Sequence, residues 1–171
     1  MDYHVFRPRR FSSKYHCALS GPILSLTALA QELSRARSAG ERIVLTNGVF
    51  DLLHVGHLRY LRQARAEGDV LVVGVNADSA VGKPGRPLVP AEERAELVAA
   101  LEPVSYVVVF AESTADQLLR EVRPDVYVKG ADYSETTLPE AKTAREVGAR
   151  LSFVPLVAGR STSALIRRYS E

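Results

Sequence analysis

The sequence holds one cysteine, Cys17, among 171 residues. A single thiol excludes an internal disulfide and any zinc site built from several cysteines, and it permits a cytoplasmic location. No stretch approaches the roughly 18 apolar residues of a membrane span. The longest apolar runs, such as Val70 to Val75 and Val107 to Ala111, have the length of buried strands. The start of the chain lacks the apolar middle of a secretory signal. Net charge is small as well: 22 Lys and Arg stand against 20 Asp and Glu, giving +2. The excess sits at one end, where residues 1–20 hold Arg7, Arg9, Arg10 and Lys14 against Asp2. The other 151 residues carry 18 basic and 19 acidic side chains. A body without basic excess argues against broad nucleic-acid binding.

What is there has the composition of a soluble globular domain, 46% hydrophobic and 25% charged. The length fits a single domain, assigned to residues 21–171. Residues 1–20 show no regular period and read as a flexible, basic extension. His4, His16 and Cys17 match no familiar metal-site spacing.

From Gly21 onward, strand and helix signals alternate. Ser25 or Thr27 can cap a helix with Leu26, Leu29, Ala30, Leu33 and Ala36 on its apolar face, ended by Gly40. Arg42 to Thr46 reads as a strand. Val55 to Glu67 reads as a helix that Gly68 stops. Asp69 to Asn76 is apolar nearly throughout, as a strand buried on both faces is. A loop from Asn76 to Leu88 follows, and Pro90 opens a helix to about Leu101. Tyr106 to Phe110 is a third strand, and Ser113 with Asp116 resembles a capping box before a helix to Val122. Strands over Val126 to Lys129 and Leu151 to Pro155 flank a helix from Pro139 to Val147. Ser161 can cap a last helix through Arg168. Five strands alternating with helices imply an α/β, Rossmann-like, doubly wound five-stranded parallel sheet. Ligands of such sheets bind beyond the carboxyl ends of the strands.

The first strand ends there in Thr46-Asn47-Gly48-Val49-Phe50-Asp51-Leu52-Leu53-His54-Val55-Gly56-His57. Gly48 lets backbone approach a ligand closely. His54 and His57, two of only four histidines, share one face of a helix start, with Gly56 between them. A helix N-terminus with free amides suits phosphate, and two imidazoles can donate to a phosphorus centre as charge builds. Two other readings stand beside this one. His54 can simply cap the helix while His57 packs in the core. A zinc pair is the other, although no third ligand lies nearby.

The whole string closely resembles the signature of the nucleotidyltransferase superfamily, which includes cytidylyltransferases, adenylyltransferases and the related class I aminoacyl-tRNA synthetases. The resemblance runs from Gly21 to Arg168. Glu93-Arg94 is similar to the superfamily's Glu-Arg or His-Arg pair. Val128-Lys129-Gly130-Ala131-Asp132-Tyr133 looks like the Lys-Gly-Gly-Asp-Tyr motif of bacterial heptose 1-phosphate adenylyltransferases, with Ala131 in place of the second glycine. Gly159-Arg160-Ser161-Thr162-Ser163 resembles the last superfamily motif. Arg-Pro-Asp-Val-x-Val-Lys-Gly and Gly-Arg-Ser-Thr favour the adenylyltransferase module of heptose kinase/adenylyltransferases. No kinase portion is present, so the stand-alone form is implied. The loop from Asp78 to Gly85 departs from typical relatives by being several residues shorter. No Lys-Met-Ser-Lys-Ser motif points to the synthetase branch.

The resemblance implies a nucleotidyltransferase fold and AMP transfer from ATP to D-glycero-β-D-manno-heptose 1-phosphate, giving ADP-heptose and pyrophosphate. His54, His57 and Lys83 would act catalytically. Thr46, Asn47, Gly48, Val49, Phe50, Asp51, Gly56, Arg94, Lys129, Gly130, Asp132, Ser161, Thr162 and Ser163 would bind nucleotide. Lys129, Asp132 and Tyr133 would also meet the sugar phosphate. Mg²⁺ would ride on phosphate oxygens and water. The expected partners are the nucleotide and the sugar phosphate, not nucleic acid or membrane, with a homodimer expected from relatives. Two other functions fit the same residues: a cytidylyltransferase using CTP and glycerol 3-phosphate or another small phosphate, and a non-catalytic nucleotide-binding module.

Overall fold

The computed structural model describes residues 21–82, 84–155, 157, 159 and 162–169. The 1–20 extension, Lys83 and Ser161 lie outside the described residues.

The apolar strand runs form the centre of the structure. β1 (Ile43–Gly48), β2 (Val70–Asn76), β3 (Tyr106–Phe110), β4 (Val126–Gly130) and β5 (Arg150–Val154) make one sheet. Its order is β3-β2-β1-β4-β5, and every pairing is parallel. Parallel neighbours need crossovers, and the helices supply them. α1 (Leu26–Ser38), α4 (Asp116–Val122) and α5 (Ala141–Glu146) cover one face, burying Leu29, Leu33, Leu118, Leu119 and Ala144 with Leu45 and Tyr127. α2 (Val55–Arg65) and α3 (Ala91–Ala99) cover the other, burying Leu61, Ala95 and Val98 with Val44, Val73 and Val128. α6 (Thr162–Tyr169) follows β5. The direction of winding reverses between β1 and β4, so the crevice beyond their carboxyl ends is where such a sheet takes a ligand. Asn47, Gly48, Lys129 and Gly130 stand at that crevice.

Alternation along β1 divides the crevice between the two faces. Thr46 meets Tyr60 of α2, while Asn47 meets Tyr127 on the opposite face. The outer edge of β3 is covered by the segment before α1. Leu24 N–H donates to Val107 O, Val107 N–H donates to Pro22 O, and Ile23 bridges Val107.

Several local expectations change. β1 continues two residues past Thr46, because Asn47 and Gly48 still pair with Gly74 and Val75. Ser25 is the α1 cap, accepting from Ala28 N–H. Pro90 is the N-cap of α3, one residue before the helix. Ser113 caps nothing: α4 starts from Ala115 with no side-chain cap. The Ala115 amide instead donates to the buried carboxylate of Glu140, 3.1 Å away, and Asp116 accepts from Thr114. Capping has passed to a residue distant in sequence.

Gly68 does follow α2, but not for a left-handed turn, since its φ is not positive. Here the chain folds tightly onto Arg42, whose carbonyl accepts from both Asp69 and Val70. A Cβ on Gly68 would lie 2.7 Å from that carbonyl oxygen and 2.6 Å from a methyl of Val44. Backbone cannot yield as a side-chain tip does. Gly68→Ala is therefore expected to lower stability by roughly 1–3 kcal/mol, read as a reduced urea midpoint with an unchanged slope.

Candidate active site

The first turn of a helix leaves its leading N–H groups without partners. Ser, Thr, Asp or Asn followed by Glu or Gln commonly satisfies them. α2 uses two histidines instead. His54 is the N-cap, and its Nδ1 accepts from Gly56 N–H at 3.1 Å. His57, three residues on, returns its Nδ1 to the His54 amide at 3.4 Å, closing a capping box. An imidazole that accepts at Nδ1 carries its proton on Nε2 when neutral. Both rings are thus set in the Nε2–H tautomer, with those N–H bonds on the ring side away from the capped backbone. The rings stack with centroids 3.9 Å apart and planes 19° from parallel. Capping and presentation of donors are compatible because they use opposite ring nitrogens.

Burial and the neighbouring His54 hold His57 low, at about 4, so it is neutral near pH 7. Phe50 contributes to that burial, meeting the His57 ring edge-on at 5.4 Å. Its backbone is in the left-handed region, φ 51°, which is unfavourable for a residue with a Cβ. That turn brings the ring back over Gly48, where a Cβ would stand 3.2 Å from it. Gly48 therefore makes room for Phe50.

Asp51 is buried and acts as a clamp. It accepts from the Arg86 side chain and from the amides of Leu88 (2.8 Å) and Val89 (3.1 Å). The loop after β2 is thereby tied to the turn after β1. Arg86, which sequence reading passed over in favour of Lys83, is the loop cation this clamp holds.

At β4, Lys129 is buried. Its Nζ lies 3.2 Å from Asn47 Oδ1, 5.8 Å from the Tyr127 ring centre and 5.2 Å from that of Tyr133. Burial pulls its pKa down, while Glu140 and Asp132 oppose that. Asp132 and Tyr133 are exposed at the same strand end, and Tyr133 N–H donates to Gly130 O. Ala131 takes a position where no positive φ is needed, and its amide donates to Val154 O. The missing second glycine is therefore accommodated. Thr162 and Ser163 form the first turn of α6.

Three expected nucleotide contacts are structural instead. Arg94 is fully buried, with its guanidinium donating to the carbonyls of Val89, Val49 and Asn76 and to the Asp78 carboxylate. It faces into the protein and braces the loops, so it does not reach out to phosphate. Thr46 is fully buried as well, its hydroxyl 2.6 Å from Tyr60 OH. Tyr60 in turn donates to Val128 O, so Thr46 is spent as a donor within the sheet layer. Gly56 is buried, and its amide is committed to the His54 cap. Among the described residues no group of three or more His, Cys, Asp or Glu could hold a metal, so none of them adds a third ligand to His54 and His57. No described helix is long and apolar enough to cross a membrane.

The family model for cytidylyltransferase-like proteins matches residues 45–168. The protein named bifunctional protein HldE from Syntrophotalea carbinolica is 44% identical over 144 residues, covering 82% of this chain and 29% of that protein. HldE from Methylobacillus flagellatus is 40% identical over 166 residues, covering 95% and 34%. HldE from Pseudomonas paraeruginosa is 44% identical over 152 residues, covering 87% and 32%. The chain spans about a third of the length of these curated relatives. The crystal structure of a lipopolysaccharide core biosynthesis protein from Thermoplasma volcanium superposes with a TM-score of 0.59 at 31% identity, covering 69% of this chain and 98% of that one.

The capping geometry separates folding from chemistry. His54→Asn keeps an N-cap acceptor and His57→Gln keeps the return bond, so each should cost no more than about 1 kcal/mol of stability. Each removes the ring Nε2–H and leaves only a displaced carboxamide N–H₂, so turnover at this site should fall about 10²–10³-fold. Turnover near wild type in both would remove the histidines from the chemistry. The depressed His57 has a second consequence. The unfolded chain takes up a proton at its ordinary value of 6.5, before the folded one does at about 4. Stability should therefore fall as pH drops from 6.5 towards 4, and His57→Gln should flatten that part of the urea-midpoint profile.

Proposed function

The chain belongs to the cytidylyltransferase-like family, and from that premise we propose that it transfers AMP from ATP to a sugar 1-phosphate, D-glycero-β-D-manno-heptose 1-phosphate. The products are ADP-heptose and pyrophosphate. One observation carries the chemistry: a stacked histidine pair caps α2 immediately beyond the carboxyl end of β1, at the crevice where the sheet reverses its winding. The choice of substrates is supported by the Lys129 to Tyr133 motif, by 40–44% identity to HldE proteins, and by the likeness to a lipopolysaccharide core biosynthesis protein.

An anionic oxygen of the sugar phosphate attacks the α-phosphorus. The bond from that phosphorus to the bridging oxygen breaks, and pyrophosphate leaves with the electron pair. The attacking oxygen is already deprotonated, so no general base is needed. Catalysis then rests on placement and on stabilising charge. His54 and His57 donate Nε2–H to the α-phosphoryl oxygens as charge accumulates there. Phe50 shields the pair from water. Asn47 and Gly48 line the nucleotide cleft, Lys129 with Asp132 and Tyr133 faces the phosphates and sugar, and the start of α6 receives the outer phosphates. Lys83 and Ser161 belong to the same proposal on sequence grounds alone. Mg²⁺ arrives with the triphosphate as part of the substrate. The reaction is placed in the cytoplasm.

Pyrophosphate release, measured with Mg²⁺ for ATP, CTP, GTP and UTP against heptose 1-phosphate and glycerol 3-phosphate, tests this directly. Release with ATP and the heptose phosphate alone is the expected result. Release with CTP or with glycerol phosphate would retain the chemistry and replace the substrates. Nucleotide binding without release in any pairing would favour a sensing module.

A further inference from the structure

Tyr127 is the largest apolar-faced side chain buried in β4, and the sequence motif around it treats its position as variable. Its hydroxyl lies 2.6 Å from Asn47 Oδ1. The Lys129 ammonium lies 3.2 Å from the same oxygen. An ammonium has donors only, so the Asn47 atom it touches must be the carbonyl oxygen. Tyr127, sharing that oxygen, must also donate. Two donors on one oxygen fix which way the carboxamide points, and its Nδ2 is left with two N–H bonds. Among the described residues no group accepts from that nitrogen, and Asn47 is only half-buried. Glycine is needed opposite the side chain to leave it room. Asn47 pairs in register with Gly74, where a Cβ would stand 3.2 Å from the Asn47 Cβ and 2.5 Å from a Leu118 methyl.

We infer that Tyr127 is a positioning residue which, with Lys129, holds the Asn47 carboxamide so that its two N–H donors face the crevice between β1 and β4. The site therefore reads an acceptor at that point: a phosphate or ribose oxygen of the nucleotide. The identity of that ligand rests on the proposed nucleotidyl transfer, whereas the orientation rests on the hydrogen bonds alone. Lys129 then does two things. Its charge neutralises phosphate nearby, and its hydrogen bond sets the donor beside it.

Asn47→Asp is the sharpest variant. It keeps an oxygen for both Tyr127 and Lys129, so the urea midpoint should hold or rise. It replaces the outward N–H₂ by oxygen, so Mg-ATP affinity, measured by calorimetry without any acceptor, should fall about 10–100-fold. Tyr127→Phe should weaken Mg-ATP about 3–10-fold and raise the nucleotide KM while leaving the acceptor KM in place. In the double variant the Tyr127→Phe effect should vanish, because no amide remains to be oriented. Equal affinity in Asn47→Asp, or an undiminished Tyr127→Phe effect in the double variant, would overturn the inference. The ¹⁵N relaxation of the Asn47 side-chain amide gives a readout independent of ligand. It should be rigid in the wild type and loosen in Tyr127→Phe, and an unchanged amide would refute the positioning role. A wild-type protein that binds no nucleoside triphosphate would defeat the proposed function, while this amide measurement would still decide the orientation.

Discussion

The unsatisfied amides at the start of α2 are the constraint on which the site depends. A helix beginning at a sheet's carboxyl edge must find acceptors for them, and this chain finds them in two imidazoles. The requirement that the helix be capped fixes the tautomer, the stacking and the direction of both rings. Everything nearby then follows from keeping that turn in place. Phe50 adopts an unfavourable left-handed backbone to reach under His57. Gly48 gives the ring space, and Asp51 binds the neighbouring loop to the same turn. Such local cost is tolerated where surrounding structure overdetermines it.

The two sides of the crevice use different physics. On the α2 side, His57 is a neutral donor in a partly dry setting. On the α5 side, the Lys129 amine is flanked by tyrosine rings, its charge disfavoured by burial and favoured by the fields of Glu140 and Asp132. Neutral donors suit a centre where charge develops during reaction, because they bind the resting phosphate less tightly than the activated one. A fixed cation suits phosphate groups whose charge is constant. The division by face is a direct result of strand alternation at Thr46 and Asn47.

Much of this architecture was legible in the sequence. Apolar runs as short as Val70 to Val75 suit strands covered on both faces, and the regular return of helix signals between them points to a parallel sheet. His54 and His57 were legible because spacing along a single turn is a local property. What escaped was set by tertiary burial. Arg94 has the same charge whether it meets phosphate or three backbone carbonyls, and only the packing of α3 under the loops decides. Thr46 was misjudged for the same reason, since its partner Tyr60 lies on another element. Tyr127 escaped because its hydroxyl acts on Asn47, 80 residues away. Ser113 had the right residue type for a cap, yet Glu140, at the N-cap of α5, took the amide.

Arg94 has one more consequence. By gathering the carbonyls of Val49 after β1, Asn76 at the end of β2 and Val89 in the loop before α3 onto one guanidinium, it joins three connections into a single body. The floor of the crevice is therefore assembled before any ligand arrives. Association there spends little conformational entropy on the floor, so the heat-capacity change of binding should reflect the surface dried rather than a segment folding. In kinetic language, this part of the protein is a lock cut in advance, and adaptation to different ligands must come from the rim.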